Sequence, residues 1–313
     1  MQLRPEDFRF TSKLSVSAFN IPMPDTKRKQ KSEVSIIGTG RLGTTLAVAL
    51  ARKGYSIRSL VARRSQSARR AAGFLDEDVQ VLGAKQLRLL RPADVFLITT
   101  PDDQIAGVAE ELSKVALPKA VVLHTSGALS AEVLAPLRKK GWQTGSIHPL
   151  VSVSDTAETD EALRGAFWSV EGDKAALRLA KSIVADLDGK NFSIRSEDKP
   201  LYHAAAVMAA GNVVALLDVA LEMLVQCGLN RKTARSVLLP LIASTVRNLE
   251  TKDPAQALTG TFARGDIETV KRHLKSLKRK ELADALELYR LLGMRSLKIM
   301  KKHPQITHIL KSV

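Results

Sequence analysis

The chain has 313 residues, 45% of them hydrophobic, enough to bury the cores of one large or two ordinary domains. A net charge of +16 would suit a nucleic-acid backbone, but the basic residues are spread over helix faces, as in Lys271, Lys275, Lys278, Arg279 and Lys280, and aromatics are only 4% of the chain. The sequence therefore excludes a base-stacking nucleic-acid binder and leaves a positive field suited to small anionic molecules.

Residues 1–31 mix Pro, Ser, Asp and Lys without periodicity and close on Lys27, Arg28, Lys29, Gln30 and Lys31, the pattern of a flexible basic extension. From Glu33 onward β-rich runs alternate with helical stretches, as expected of βαβ units around a parallel sheet. Strands are predicted at 34–37, 56–62, 79–82, 94–99, 120–124 and 144–147; two more, at 166–170 and 191–194, flank a helix over 173–187. After Lys199 the strand pattern stops, and helices are predicted over 201–227, 231–249, 267–278 and 281–300. Gly228 ends the first of these, Asn230 caps the second, and Pro240 is expected to kink it. Cys227, the one cysteine, cannot form an internal disulfide, and its apolar helical setting predicts a core position. With no run near about 20 uninterrupted apolar residues and no basic-then-apolar leader, the reading is a cytoplasmic protein without a membrane partner.

The strongest motif is Gly38-Thr39-Gly40-Arg41-Leu42-Gly43, which follows an apolar strand and opens a helix. In that context Gly38 permits the tight turn, Gly40 lets backbone amides approach a pyrophosphate, and Gly43 lets the helix lie close on the strand. The helix N-terminus then offers unpaired N–H donors to the anion. Where an NAD site usually places an acid, at the end of the second strand, this chain has Arg63, Arg64 and Ser65, with Ser67 nearby. A guanidinium fork suits a 2′-phosphate, so the expected cofactor is NADP. The fold class that follows is α/β: a Rossmann-type doubly wound, mostly parallel sheet over 32–197, then an all-helical domain over 198–313.

Ligands of such sheets lie beyond the carboxyl ends of the strands, and those ends are polar here. Thr100, Pro101 and Asp102 follow one strand, with Asp102 serving as helix cap or cofactor contact. His124, Ser126 and Gly127 follow the next and are candidates for substrate binding, Ser126 and Gly127 as donors to a carboxylate. His148 and Pro149 follow the third. Lys199 and His203 are one turn apart on a predicted helix and are expected to face the inter-domain cleft together; His148, Lys199 and His203 are the candidate proton donors. Asn212 shares that helix but faces the site only if Gly211 bends it. His124, His148 and His203 lack short ligand spacing, so no metal is expected. In the loop from Thr259, Asp266 is the expected cap of the following helix, while Arg264, held between glycines, is expected to reach an anionic substrate in its own subunit or across a dimer.

His124-Thr-Ser-Gly127, His148-Pro-Leu150, Tyr202-His-Ala-Ala-Ala206 and Ala257-Leu-Thr-Gly-Thr-Phe-Ala-Arg-Gly-Asp266 together resemble a bacterial family that pairs a Rossmann-like NADP-binding domain with a helical C-terminal domain of unassigned function. The resemblance runs from about Glu33 to Met300; Thr261 departs from it, standing where that family usually has proline. The family resembles pyrroline-5-carboxylate reductase, the deazaflavin-dependent NADP reductases, and the 6-phosphogluconate and β-hydroxyacid dehydrogenases. It implies a helical domain that dimerises and closes the site. It also matches Lys199 and Asn212 to the lysine and asparagine of the β-hydroxyacid enzymes, at a longer spacing, and His148-Pro149 to the His-Pro pair of prephenate dehydrogenases. The expected function is an NADP-dependent oxidoreductase acting on a small anionic keto acid, hydroxy acid or imine. The competing readings are a non-catalytic NADP-responsive protein and a prephenate-dehydrogenase-like enzyme. The apolar stretch 204–224 needs more cover than the remaining helices provide, which independently predicts a two-fold homodimer.

Overall fold

Side-chain alternation along the strands divides the core between the two faces of one sheet. In β4 (Val95–Ile98), Val95 and Leu97 pack on one face with Val34, Ile36, Leu46 and Leu50, while Phe96 and Ile98 pack on the other with Ile105, Leu112 and Trp142. A computed structural model describes residues 31–76, 78–154, 162–301 and 303–312; the predicted extension over 1–31 lies outside these but for its last residue. The other elements of this half are β1 (Glu33–Ile37), α1 (Arg41–Arg52), β2 (Ser56–Ala62), α2 (Ser65–Ala72), β3 (Gln80–Gly83), α3 (Asp102–Ser113), β5 (Val121–His124), α4 (Ala135–Lys139), β6 (Gln143–Pro149), β7 (Phe167–Gly172), α5 (Lys174–Asp186) and β8 (Lys190–Phe192). They build an eight-stranded sheet in the order β3-β2-β1-β4-β5-β6-β7-β8, parallel except between β6 and β7. The order reverses between β1 and β4, where a doubly wound sheet opens its binding crevice. All eight predicted strands are present, and the fold is Rossmann-like.

The remainder is helical: α6 (Lys199–Ala209), α7 (Gly211–Gln226), α8 (Arg231–Thr251), α9 (Pro254–Ala257), α10 (Thr261–Arg264), α11 (Ile267–Leu277), α12 (Ala283–Met300) and α13 (Pro304–Lys311). The single helix predicted over 201–227 is broken at Ala210 (φ −124°, ψ −75°), just before the weak helix formers Gly211 and Asn212. Pro240 lies inside α8, whose helical assignment runs through it. Asn230 and Asp266 cap α8 and α11 by accepting from Thr233 N (2.9 Å) and Thr269 N (3.0 Å). The helix α13 escaped the sequence reading, although Pro304 in its first turn is the kind of signal that marks a helix start.

Two expectations fail here. Cys227 is exposed, because α7 ends at Gln226 and the turn at Gly228 carries the thiol out of the packed face. The apolar stretch is likewise uncovered within the chain: Leu221 is the one buried residue of α7, and Leu201 (74%), Met208 (64%), Val214 (70%) and Leu241 (63%) stand exposed on α6 to α8. Within Ser196–Gln226 an 18-residue window reaches a mean hydropathy of 2.0, so by length and composition this stretch could cross a membrane, which the count of uninterrupted apolar residues did not reveal.

Candidate functional site

The glycine loop closes one end of β1 against its neighbours. Gly38 has φ +115° and donates from its N–H to Val61 O (2.8 Å); a Cβ there would come within 2.6 Å of Thr100 N, so the turn admits only glycine. Thr44 N donates to Gly40 O (3.0 Å), the first α1 bond, and the first turn holds no acid or capping side chain. The amides ahead of Thr44 are thus left to an external anion. A Cβ on Gly40 would meet nothing within 4 Å, whereas a Cβ on the buried Gly43 would overlap the Gly38 carbonyl oxygen.

From this loop a crevice runs in two directions. A cavity of about 360 Å³ lies between Gly38, Gly40, Arg63, Arg64, Ser67 and Pro101, with Gln104 at its edge. Arg63 and Arg64 are exposed at this end; Ser65 begins α2 and leaves the lining to Ser67. A second cavity of about 510 Å³ shares Gly40, Thr100 and Pro101 with the first and continues past Arg41, Leu42 and Asp102 to Ser126, Gly127, His148 and His203. The hydroxyls of Thr39 and Thr100 are buried without hydrogen-bond partners along this route. Free amides, a backbone that excludes side chains, two arginines and orphaned hydroxyls fit a dinucleotide.

At the far end three side chains converge. His148 Nδ1 and the Tyr202 hydroxyl are 2.8 Å apart, and the His148 and His203 rings meet edge to face at 5.7 Å. A Cβ on Gly127 would come within 2.6 Å of His203 Nδ1 and 2.7 Å of His148 Nε2, so glycine lets both imidazoles approach the strand end. His203 Nδ1 is buried without a partner. Burial first, then the neighbouring His203 and Lys199, push the His148 pKa down to about 4; burial pushes that of Tyr202 up to about 12.

Other expected site residues take different roles. Lys199 is wholly buried rather than facing the cleft: its ammonium donates to Ser146 Oγ (2.7 Å), and burial pushes its pKa below the ordinary value against the pull of Glu171 and Asp102. His124 is also fully buried, with Nε2 3.2 Å from Ser130 O and Nδ1 accepting from Ser126 N (3.2 Å), so it shapes the strand end without touching a substrate. Ser126 lines the crevice, but its hydroxyl already donates to Asp102 (2.8 Å) and accepts from Ala128 N and Leu129 N. Asp102 is therefore no helix cap; it anchors Ser126, while Pro101 occupies the cap position. Asn212 is exposed and bonded to Met208, since the break at Ala210 redirects α7 without bringing the amide into the crevice. Arg264 is exposed on α10 and lines none of these cavities, so it does not reach the site within its own chain. Its backbone is set by Gly260 (φ +84°) and Gly265 (φ +72°), which form the turn without the arginine needing an anion.

Tyr202 entered the sequence reading only as part of a motif, and Ser146 and Glu171 not at all. The signal was present in β6, where Thr144, Ser146 and His148 alternate as polar residues on one face of an otherwise buried strand. Glu171 ties the neighbourhood together by accepting from Ala131 N (2.5 Å) and Ser196 Oγ (2.6 Å). Among the described residues no cluster of three or more His, Cys, Asp or Glu could hold a metal ion.

Comparison with known proteins agrees with this anatomy. Residues 21–149 match a Rossmann-like domain and residues 166–296 match a domain of unknown function (DUF2520). Over 205 residues the chain is 29% identical to a glycerol-3-phosphate dehydrogenase [NAD(P)+] of Bradyrhizobium diazoefficiens, a match that spans 58% of each protein. Among solved structures it is similar to TM1727 of Thermotoga maritima (26% identity, TM-score 0.66), covering 86% of this chain and 98% of that one. It shares its fold with BF3122 of Bacteroides fragilis, provisionally named an NADP oxidoreductase (24% identity, TM-score 0.70, 87% and 99% covered).

Proposed function

We propose that this chain, a Rossmann-like domain joined to a DUF2520 domain, is an NADP-dependent oxidoreductase that moves hydride to or from a carbonyl or imine carbon. The observation that carries this reading is the continuity of one crevice, with Arg63, Arg64 and Ser67 at one end, the glycine loop in the middle, and His148 and His203 at the other. The loop amides would hold the pyrophosphate and the arginines the 2′-phosphate. When bound, the nicotinamide would supply or accept the hydride.

The residues of the chain handle the substrate oxygen. At neutral pH the His148 ring is uncharged and the Tyr202 phenol keeps its proton. The phenol donates to Nδ1, which leaves the imidazole hydrogen on Nε2, directed at the space beside Gly127. From there it donates a hydrogen bond to the substrate oxygen and stabilises the negative charge that develops as the carbonyl is reduced, and solvent water reaching the open crevice supplies the proton that completes the hydroxyl group. Tyr202 is a positioning residue in this scheme, as is Lys199 through Ser146, whose hydroxyl lies 3.4 Å from Ser126 O.

NADPH oxidation assayed against a panel of ketones, aldehydes and imines tests the reading. His148→Asn is expected to lower kcat about 100-fold with the NADPH dissociation constant within about threefold; unchanged kcat removes His148 from the chemistry. Arg63→Ala is expected to weaken NADPH, but not NADH, by about 1.5–3 kcal/mol, roughly one to two decades in affinity. Equal losses in parallel titrations would remove the preference for NADP.

The exposed apolar faces of α6, α7 and α8 support a homodimer formed through the helical domain, since contiguous apolar patches of this kind mark interfaces. Light scattering at micromolar concentration is expected to give twice the chain mass, and Val214→Asp with Leu241→Asp to give the monomer. A wild-type monomer in detergent-free buffer would rule the dimer out.

A further inference from the structure

The substrate end of the crevice has an annex. A cavity of about 400 Å³ shares His148, Pro149, Val151 and His203 with the crevice and extends along the end of α6 between Leu150, Ala206, Val207, Ala209 and Gly211. Apart from the two histidines and Ser152, every side chain in its lining is apolar or small. The cavity is of the size that takes a small organic ligand, and it shares His148, beside which the reacting oxygen would lie, with the crevice.

What surrounds this end of the crevice discourages an anion. Of the residues expected to receive a carboxylate, Arg264 lies outside the cavities of its own chain and Ser126 has its hydroxyl on Asp102 and its amide on His124, which leaves the Gly127 backbone; Lys199, a candidate proton donor, is buried behind the strand. Among the described lining residues Arg41 is the sole Lys or Arg, and it belongs to the glycine loop. Asp102 adds a carboxylate to the wall. A charged group placed there without a partner would lose its hydration with nothing to replace it.

We propose that the substrate is a neutral ketone or aldehyde with an apolar body, its carbonyl beside His148 and its body in the annex. The inference rests on the oxidoreductase reading for its chemistry, but on the annex for its selectivity. Two probes of one skeleton separate charge from shape: 4-phenyl-2-butanone and 2-oxo-4-phenylbutanoate, the second replacing the methyl group with a carboxylate.

Calorimetric titration of each into the full-length protein saturated with NADP+ is expected to show the ketone binding at least tenfold more tightly. Ala209→Trp, at an exposed position on the annex wall, is expected to weaken the ketone at least tenfold with the NADP+ dissociation constant within about twofold and the mass by light scattering unchanged. Tighter binding of the keto acid, or ketone affinity indifferent to Ala209→Trp, overturns the proposal. NADPH consumption is read separately. Selective ketone binding without turnover supports the annex and refutes hydride transfer, whereas turnover with preference for the keto acid supports hydride transfer and refutes the annex.

Discussion

Gly43→Ala is expected to unfold the dinucleotide loop, whereas Gly40→Ala leaves the fold intact and removes only the ligand. The buried Gly43 lies on the inner face of α1, where a Cβ would overlap the Gly38 carbonyl oxygen and come within 2.5 Å of Thr99 Oγ1. Neither neighbour can retreat. The Thr99 hydroxyl donates to the same carbonyl, and Gly38 is held by its N–H bond to Val61 on β2. The helix must lift off the sheet, which costs about 3 kcal/mol or more and lowers the melting temperature by roughly 6–12 °C. Gly40 is different: it is exposed, adopts φ −74°, and has nothing within 4 Å of a Cβ, so alanine is tolerated by the backbone. That open space is where the pyrophosphate would approach, and NADPH affinity is expected to fall at least tenfold at unchanged melting temperature. Thermal melts and NADPH fluorescence titrations of both variants check the contrast. Gly40→Ala binding NADPH as the wild type does would remove the pyrophosphate from the loop.

The contrast also marks where sequence reading works. The glycine loop, the eight strands and the polar strand ends were legible because each is a local pattern: a turn requiring positive φ, a period of two, a polar residue following an apolar run. What Lys199 and Ser126 do depends on contacts made 53 and 24 residues away, and chain-local spacing carries no record of those. Lys199 and His203 are one turn apart as expected, yet Lys199 runs under β6 to Ser146 while His203 faces His148. The Ser126 hydroxyl follows a strand end and reads as available, whereas in the fold Asp102 holds it. Cys227 and the apolar face of α7 show the converse limit, since apolar periodicity says that a face needs cover but not whether the same chain supplies it.

Acid is expected to destabilise the protein well above the range in which carboxylates titrate, through His124 and His148. With no exposed surface, His124 has both ring nitrogens engaged in its neutral form: Nε2–H donates to Ser130 O, and Nδ1 accepts from Ser126 N–H. A proton on Nδ1 would break the second bond and place a charge in the interior near the Lys199 ammonium. Burial first, then that ammonium, push the His124 pKa from 6.5 down to about 3, and His148 falls from 6.5 to about 4. The unfolded chain takes up both protons near pH 6.5 and the native chain does not, so between about pH 4 and 6.5 unfolding binds up to two protons. Stability therefore rises with pH across that window, by at most about 2.7 kcal/mol per pH unit. The contribution is complete above pH 6.5 and lost as pH falls through the native values. Urea unfolding at pH 5.0, 5.5, 6.0, 6.5 and 7.5 at constant ionic strength measures the slope. In His124→Asn the side-chain oxygen can still accept from Ser126 N–H but no proton is bound, so the slope is expected to fall by about half, to roughly 1.4 kcal/mol per unit. A variant that keeps the full wild-type slope would show that His124 is protonated in the native state, and its neutral hydrogen-bond assignment would be wrong.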